Sequence, residues 1–97
     1  MDAKQFRFED LEIWCRGAAL SGRLSRLADE LEKRHLFRFA EQLRAAVLTI
    51  TNNIAEGSGS VSDAQFAQFL NIARRSVFEV ANMLKIFSRE GYVASRS

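Results

Sequence analysis

Asn53, Glu56 and Gly57 stand at the end of an apolar run, with Arg74, Ser76 and Glu79 on the segment that folds back against it. An amide and a carboxylate three residues apart share one face of a helix. Asn53 continues the stripe Leu36, Phe39, Leu43, Ala46, Ile50, and Glu56 follows one turn later. A buried amide or carboxylate must find partners or it destabilises the fold. Asn53 and Glu56 are therefore expected to point inward and bond to the third helix, with Arg74, Ser76 and Glu79 as partners, or to the loop before it. Glu56 and Glu79 repel if both are ionised and close, so Arg74 or a shared proton is required between them. Gly57 is expected to stop the helix in a left-handed cap. A structural polar lock is favoured over a reactive site, because buried polar groups more often set helix register than bind ligands.

Other reactive types are sparse. His35 is the only histidine and sits in the charged run Glu32-Lys33-Arg34-His35. Helical bundles that hold two metal ions use repeated Glu-x-x-His pairs, and there are none here. No histidine and cysteine cluster is present for zinc. Helical ribonucleases carry an arginine separated from a histidine by four to six intervening residues; the corresponding positions are Glu30, Asp29 and Ala28. Cys15, beside Trp14, reads as a small packed side chain and not as a reactive thiol. No catalysis, metal or cofactor is expected.

The arginines offer binding chemistry instead. Arg16, Arg23 and Arg26 are spaced seven and three apart and share a helical face, with Arg38 and Arg44 on the following segment. Asp29, Glu30, Glu32 and Glu41 dilute them, so in a single chain this is an ordinary solvated face. Repeated around an oligomer, the same face can hold a phosphate backbone without reading sequence. No interleaving of aromatic and basic residues points to base stacking.

The elements that carry these residues are helical. The chain has 97 residues, no proline and only five glycines, which favours long uninterrupted helices in one domain, 1–97. Its 14 basic and 12 acidic side chains nearly cancel. A single cysteine excludes an intrachain disulfide and fits a reducing compartment. With no membrane-length apolar run and no signal pattern, the expected location is cytoplasmic.

Three helices are predicted, about Glu9–Leu31, Leu36–Glu56 and Asp63–Glu90, packed antiparallel through short connections. Met1–Arg7 reads as a loose arm, anchored by Phe8 against Trp14, with Glu9 or Asp10 capping the first helix. That helix carries the stripe Ile13, Gly17, Leu20, Leu24, Leu27, Leu31 and a second stripe of mostly small residues. Ser62 and Gln65 form a capping-box pattern before the third helix. The third helix has one stripe Phe66, Leu70, Ala73, Val77, Val80, Leu84, Phe87. A second stripe holds Phe69, Ile72, Ser76, Glu79, Met83, Ile86. It should be buried on two sides, with Phe69, Ile72, Met83 and Ile86 against another subunit or against something supplied from outside the chain.

Two segments, Phe8-Glu9-Asp10-Leu11-Glu12-Ile13-Trp14 and Asn53-Ile54-Ala55-Glu56-Gly57, carry a resemblance. They resemble the small bacterial four-helix-bundle family named after intervening sequences in large-subunit ribosomal RNA genes. That family includes the accessory protein of diversity-generating retroelements. Phe66, Phe69-Leu70, Ile72-Ala73, Ser76, Glu79 and Gly91-Tyr92 fit the same pattern, as do Gln42 and Arg44 on the second helix. The resemblance implies an all-α, antiparallel up-down bundle, with the usual fourth helix missing or truncated, since only Val93–Ser97 follow the Gly-Tyr pair. Thr51 stands where the family usually has a proline. The resemblance also implies a homo-oligomeric ring, commonly a pentamer. It implies a non-enzymatic scaffold for RNA or DNA, for a nucleic-acid-processing protein, or for both. A purely structural assembly subunit is the alternative.

Overall fold

The computed structural model describes residues 6–93. A one-turn 3-10 segment, Arg7–Asp10, leads into three α-helices: α1 Glu12–Lys33, α2 Phe37–Ser58 and α3 Asp63–Arg89. No strand occurs among the described residues. The three predicted helices are therefore present; the first two have ends shifted by one to three residues, and the third begins at the predicted Asp63 and ends one residue early. The chain does not enter α1 through an acidic cap. Leu11 occupies that position without a side-chain bond, and the Glu9 carboxylate instead accepts the Phe6 N–H at 2.9 Å. Phe6 stacks on Phe8, whose ring lies 5.0 Å from that of Trp14. Arg7 belongs to the ordered entry and not to a loose arm; residues 1–5 lie outside the described residues.

The other termini follow local chemistry. Ser62 caps α3, its hydroxyl accepting the Gln65 N–H at 3.1 Å, while the Gln65 side chain accepts from Val61 N–H at 3.2 Å. Gly91 follows α3 with φ of 74°. Tyr92 N–H bonds to Phe87 O, and Gly91 N–H to Ser88 O, the paired bonds of a Schellman ending. The end of α1 repeats this geometry with His35 in the glycine position, at φ 62°. Leu36 N–H reaches Leu31 O and His35 N–H reaches Glu32 O. The only histidine is thus a turn residue, its ring 5.7 Å from that of Phe37.

Helix α2 is the centre of the molecule. Gly17 meets Ile50, Thr51 and Ile54, while Arg44 reaches Asp29 and Glu32, so α1 runs antiparallel to α2. Gly57 meets Phe66 and Phe69, while Phe39 meets Phe87, so α3 does the same on the other side. The core collects Ala40, Leu43, Ala46, Val47, Ile50 and Ile54 from α2. Leu24, Ala28 and Leu31 come from α1, and Ala73, Val80 and Phe87 from α3. No Cα of α1 comes within 8 Å of a Cα of α3. Within the chain the two-sided helix is α2, and α3 packs along one side only, leaving its second stripe without a partner helix in the same chain. The layer is correspondingly open. Its radius of gyration is 15.0 Å, against about 12.5 Å for a compact domain of this length.

The left-handed residue after α1 yields a stability test. A side chain in this conformation costs roughly 1–2 kcal/mol that glycine does not incur. His35→Gly is expected to raise the thermal midpoint, by up to about 1 kcal/mol of stability after the greater chain entropy of glycine is subtracted. Urea unfolding of both proteins measures it.

Candidate functional site

The Asn53–Gly57 segment is a packing corner. Asn53 is half-buried, and its amide donates to Thr49 O at 2.8 Å, one turn back in α2. The neighbouring hydroxyls behave alike: Thr49 donates to Ala45 O and Ser58 to Ala55 O. Glu56 is exposed, as is Glu79, which lies along a shallow opening with Gln42, Thr49 and Asn82. Arg74 bonds to Asn71 in its own helix, and Ser76 is buried between α2 and α3. The expected link from Asn53 and Glu56 to Arg74, Ser76 and Glu79 is therefore not formed. The physical reason is that α2 satisfies its polar side chains through its own carbonyls, and Glu56 turns to water.

Gly57 also departs from expectation. It lies inside α2 and is not a left-handed cap. A Cβ at Gly57 would stand 2.7 Å from Phe66 Cδ1 and 2.7 Å from Phe69 Cβ. The glycine is required by the close approach of α3, not by backbone sign. Sequence reasoning missed Arg7 at this corner. Its guanidinium donates to Ser58 O at 2.9 Å and lies 5.6 Å from the Phe66 ring centroid. A cation on the last carbonyls of a helix is favourable. Sequence distance hid it, because Arg7 is far from α2 along the chain.

The apolar surface is distributed differently from expectation as well. The stripe Phe69, Ile72, Met83, Ile86 is divided. Phe69 rests on Gly57 and Met83 packs against the core, both half-buried, while Ile72 and Ile86 are exposed. A further uncovered apolar surface is the groove between α1 and α3. Ile50 and Ile54 of α2 form its floor. Ile13, Gly17 and Leu20 form one wall, and Leu70, Ala73, Val77 and Phe78 the other, around a space of about 630 Å³. Ile13 is 51% exposed, Leu20 36%, Val77 45% and Phe78 64%. A second opening of about 550 Å³ continues along α1 past Leu24 and Leu27 to Glu30, with Leu84 opposite. The exposed lining of the first part is almost wholly apolar. That suits apolar side chains better than a small polar ligand, which needs several convergent polar groups.

Arginines edge this groove. Arg16 lines the first opening and is bonded to Glu12 at 3.0 Å. Arg23 and Arg26 line the second beside Glu30, and no ion pair among the described residues engages either. Arg74 borders the opposite wall, 5.9 Å from the Phe78 centroid. Arg44 does not join them. It sits at the other seam of α1 and α2, near Ser21, Ser25 and Leu48, bonded to Glu32 at 2.9 Å and to Asp29. The bond to Glu32 raises its pKa above the usual arginine value. Arg38 is exposed on the outer side of α2, away from the groove floor. The five arginines thus divide, with Arg16, Arg23 and Arg26 at the groove. Among the described residues no three of His, Cys, Asp and Glu gather to hold a metal. No described helix is long and apolar enough to cross a membrane.

The sequence profile described as 23S rRNA-intervening sequence protein matches residues 9–97. No curated protein and no solved structure matches the chain.

The packing corner is open to test. Gly57→Ala improves intrinsic helix propensity by about 1 kcal/mol, yet overpacking a tight contact costs about 1–3 kcal/mol. The contact term should prevail, so the variant is expected to melt lower than the parent. Asn53→Ala, which removes one bond inside α2, should cost no more than about 1 kcal/mol. Thermal unfolding followed by circular dichroism ranks the two.

Proposed function

Because the chain belongs to the 23S rRNA-intervening sequence protein family, we propose that it is a non-catalytic helical scaffold that works by assembly. The observation that supports this is the groove between α1 and α3. Four large apolar side chains, Ile13, Leu20, Val77 and Phe78, stand in water along one continuous surface. Contiguous apolar surface of this kind marks an interaction site on a soluble protein. Covering each such side chain is worth about 1.5–3 kcal/mol, which favours association over exposure. Exposed Ile72 and Ile86 add a second, smaller apolar edge on α3 for contact between copies. In this reading copies of the chain form a ring in the cytoplasm, commonly of five subunits as the family resemblance implies.

A second reading is favoured by Arg23 and Arg26, two exposed guanidinium groups held side by side at the groove edge. With Arg16 they form a short basic ridge. One ridge neutralises few phosphates, but a ring repeats it, and the field of an assembly adds. The scaffold then holds RNA or DNA by its backbone, with no reading of bases. Arg44, bonded to two carboxylates, contributes little to such a surface, and Arg38 lies apart from it.

Sedimentation tests the assembly reading. The parent at micromolar concentration is expected to run above its 11.0 kDa chain mass, and Ile72→Lys with Ile86→Lys, on the exposed edge of α3, should reduce the mass while helical content stays the same. A parent that stays a bare monomer alone and with every candidate partner would refute it. Fluorescence anisotropy tests the second reading. The parent should bind a labelled oligonucleotide with affinity falling by about 0.9 log unit per log unit of salt for each duplex phosphate contacted. Arg23→Glu with Arg26→Glu should abolish that binding without changing oligomer size. Equal binding by parent and variant would remove this face from consideration.

A further inference from the structure

We propose that the groove between α1 and α3 receives one amphipathic helix from a partner polypeptide, apolar along a single stripe and carrying carboxylates on both sides of it. This rests on the assembly reading and deepens it by naming what covers the groove. Three observations support it: the length of the groove, its cross-section and the charge of its rims.

From Ile13 to Glu30 the groove follows α1 for about 25 Å at the helical rise per residue, bordered throughout by the residues of its two openings. A helix of about 17 residues matches that length. In cross-section, α1 and α3 each pack on α2 but do not meet, their Cα atoms staying more than 8 Å apart. Packed helices lie 8–10 Å apart between axes. A helix set into this notch rests on both walls at once, with Leu20 and Val77 turned toward it and Ile54 beneath.

The rims decide which helix fits. On α1 they carry Arg16, Arg23 and Arg26. On α3, Arg74, Phe78, Ala81 and Lys85 are spaced four, three and four and share the face beside the groove, with Arg74 at its edge. The carboxylates along the α1 rim are Glu12, already bonded to Arg16, and Glu30. Both rims are therefore net positive. A visiting helix with acidic flanks gains from both, whereas one with basic flanks meets like charge on both. The same fact argues against a second copy as the occupant. The apolar stripes of α1 and α3 are flanked by these arginines and by Lys85, so docking either into the groove opposes cation to cation.

Three labelled peptides of about 18 residues on one helical host test this by anisotropy. The first has a leucine stripe flanked by glutamates. The second has the same stripe flanked by lysines, and the third has glutamate flanks with serines in the stripe. The first should bind at least tenfold more tightly than either of the others and weaken as salt rises. Leu20→Lys with Val77→Lys should abolish its binding, and Phe78→Lys, at a more exposed position, should weaken it. Arg23→Glu with Arg26→Glu should weaken it about tenfold. Equal binding of the lysine-flanked peptide would show that charge does not select the occupant. Equal binding of the serine peptide would show that only charge is read, as by a phosphate backbone. Either result overturns the proposal. If no peptide binds yet sedimentation still shows assembly that the Leu20 and Val77 substitutions abolish, a second copy covers the groove. The assembly reading then stands and this proposal falls. If no peptide binds and the parent itself runs as a monomer, both fall.

Discussion

The structure depends on one helix serving two neighbours. The side chains of α1 and α3 are buried chiefly against α2, because the outer helices keep their Cα atoms more than 8 Å apart. Small residues make the shared wall possible. Ala40 and Ala46 are buried in α2, Gly17 lets α1 approach Thr51, and Gly57 lets Phe66 and Phe69 of α3 come close. With the helices held at both seams, the distance between α1 and α3 is set by the width of α2. The groove is the geometric remainder of that arrangement. Its apolar lining comes from stripes wider than one seam can cover.

Polar groups follow from the same economy of space. Along α2 the amide of Asn53 and the hydroxyls of Thr49 and Ser58 bond to carbonyls of their own helix. They leave the seams to apolar contact, so α2 and α3 need no polar register device where they cross. Cross-helix polar bonds appear at the edges instead. Arg7 reaches Ser58 O, Arg34 reaches Gly91 O at 2.5 Å, and Arg44 reaches Asp29 and Glu32. The exposed member of this last group is screened by water, so its stabilisation is small. Its larger effect is on the charge pattern. Arg44 is neutralised at one seam, while Arg23 and Arg26 keep their charge at the groove.

These two features together give the molecule distinct faces. The groove face is apolar along its centre and basic along both rims. The outer side of α2 carries Arg38, Glu41 and Glu56, all exposed, with Phe37 and Leu48 exposed on the same helix. A partner that offers both apolar surface and negative charge is therefore oriented as well as bound, because charge steers approach and fixes register while buried area supplies affinity.

The sequence by itself determined the helices. Its stripes at steps of three and four, its lack of proline, Ser62 with Gln65 before α3 and Gly91 after it all act through neighbours along the chain, and these were legible. The polar lock was not. Asn53 and Glu56 share a face in any helix, but whether that face meets α3 or a carbonyl one turn back depends on how closely the helices pack. Gly57 was identifiable as special and was given the wrong reason, since a cap and a close approach both ask for glycine. The second stripe of α3 was legible as apolar, while its division into packed Phe69 and Met83 and exposed Ile72 and Ile86 was decided by where α2 lies. Arg23 and Arg26 could be grouped by spacing, but their separation from Arg44 required knowing which seam each helix turns toward the other. Local periodicity encodes which residues share a face. Only the tertiary structure decided which faces meet, because that follows from the distances at which three helices can pack around one of them.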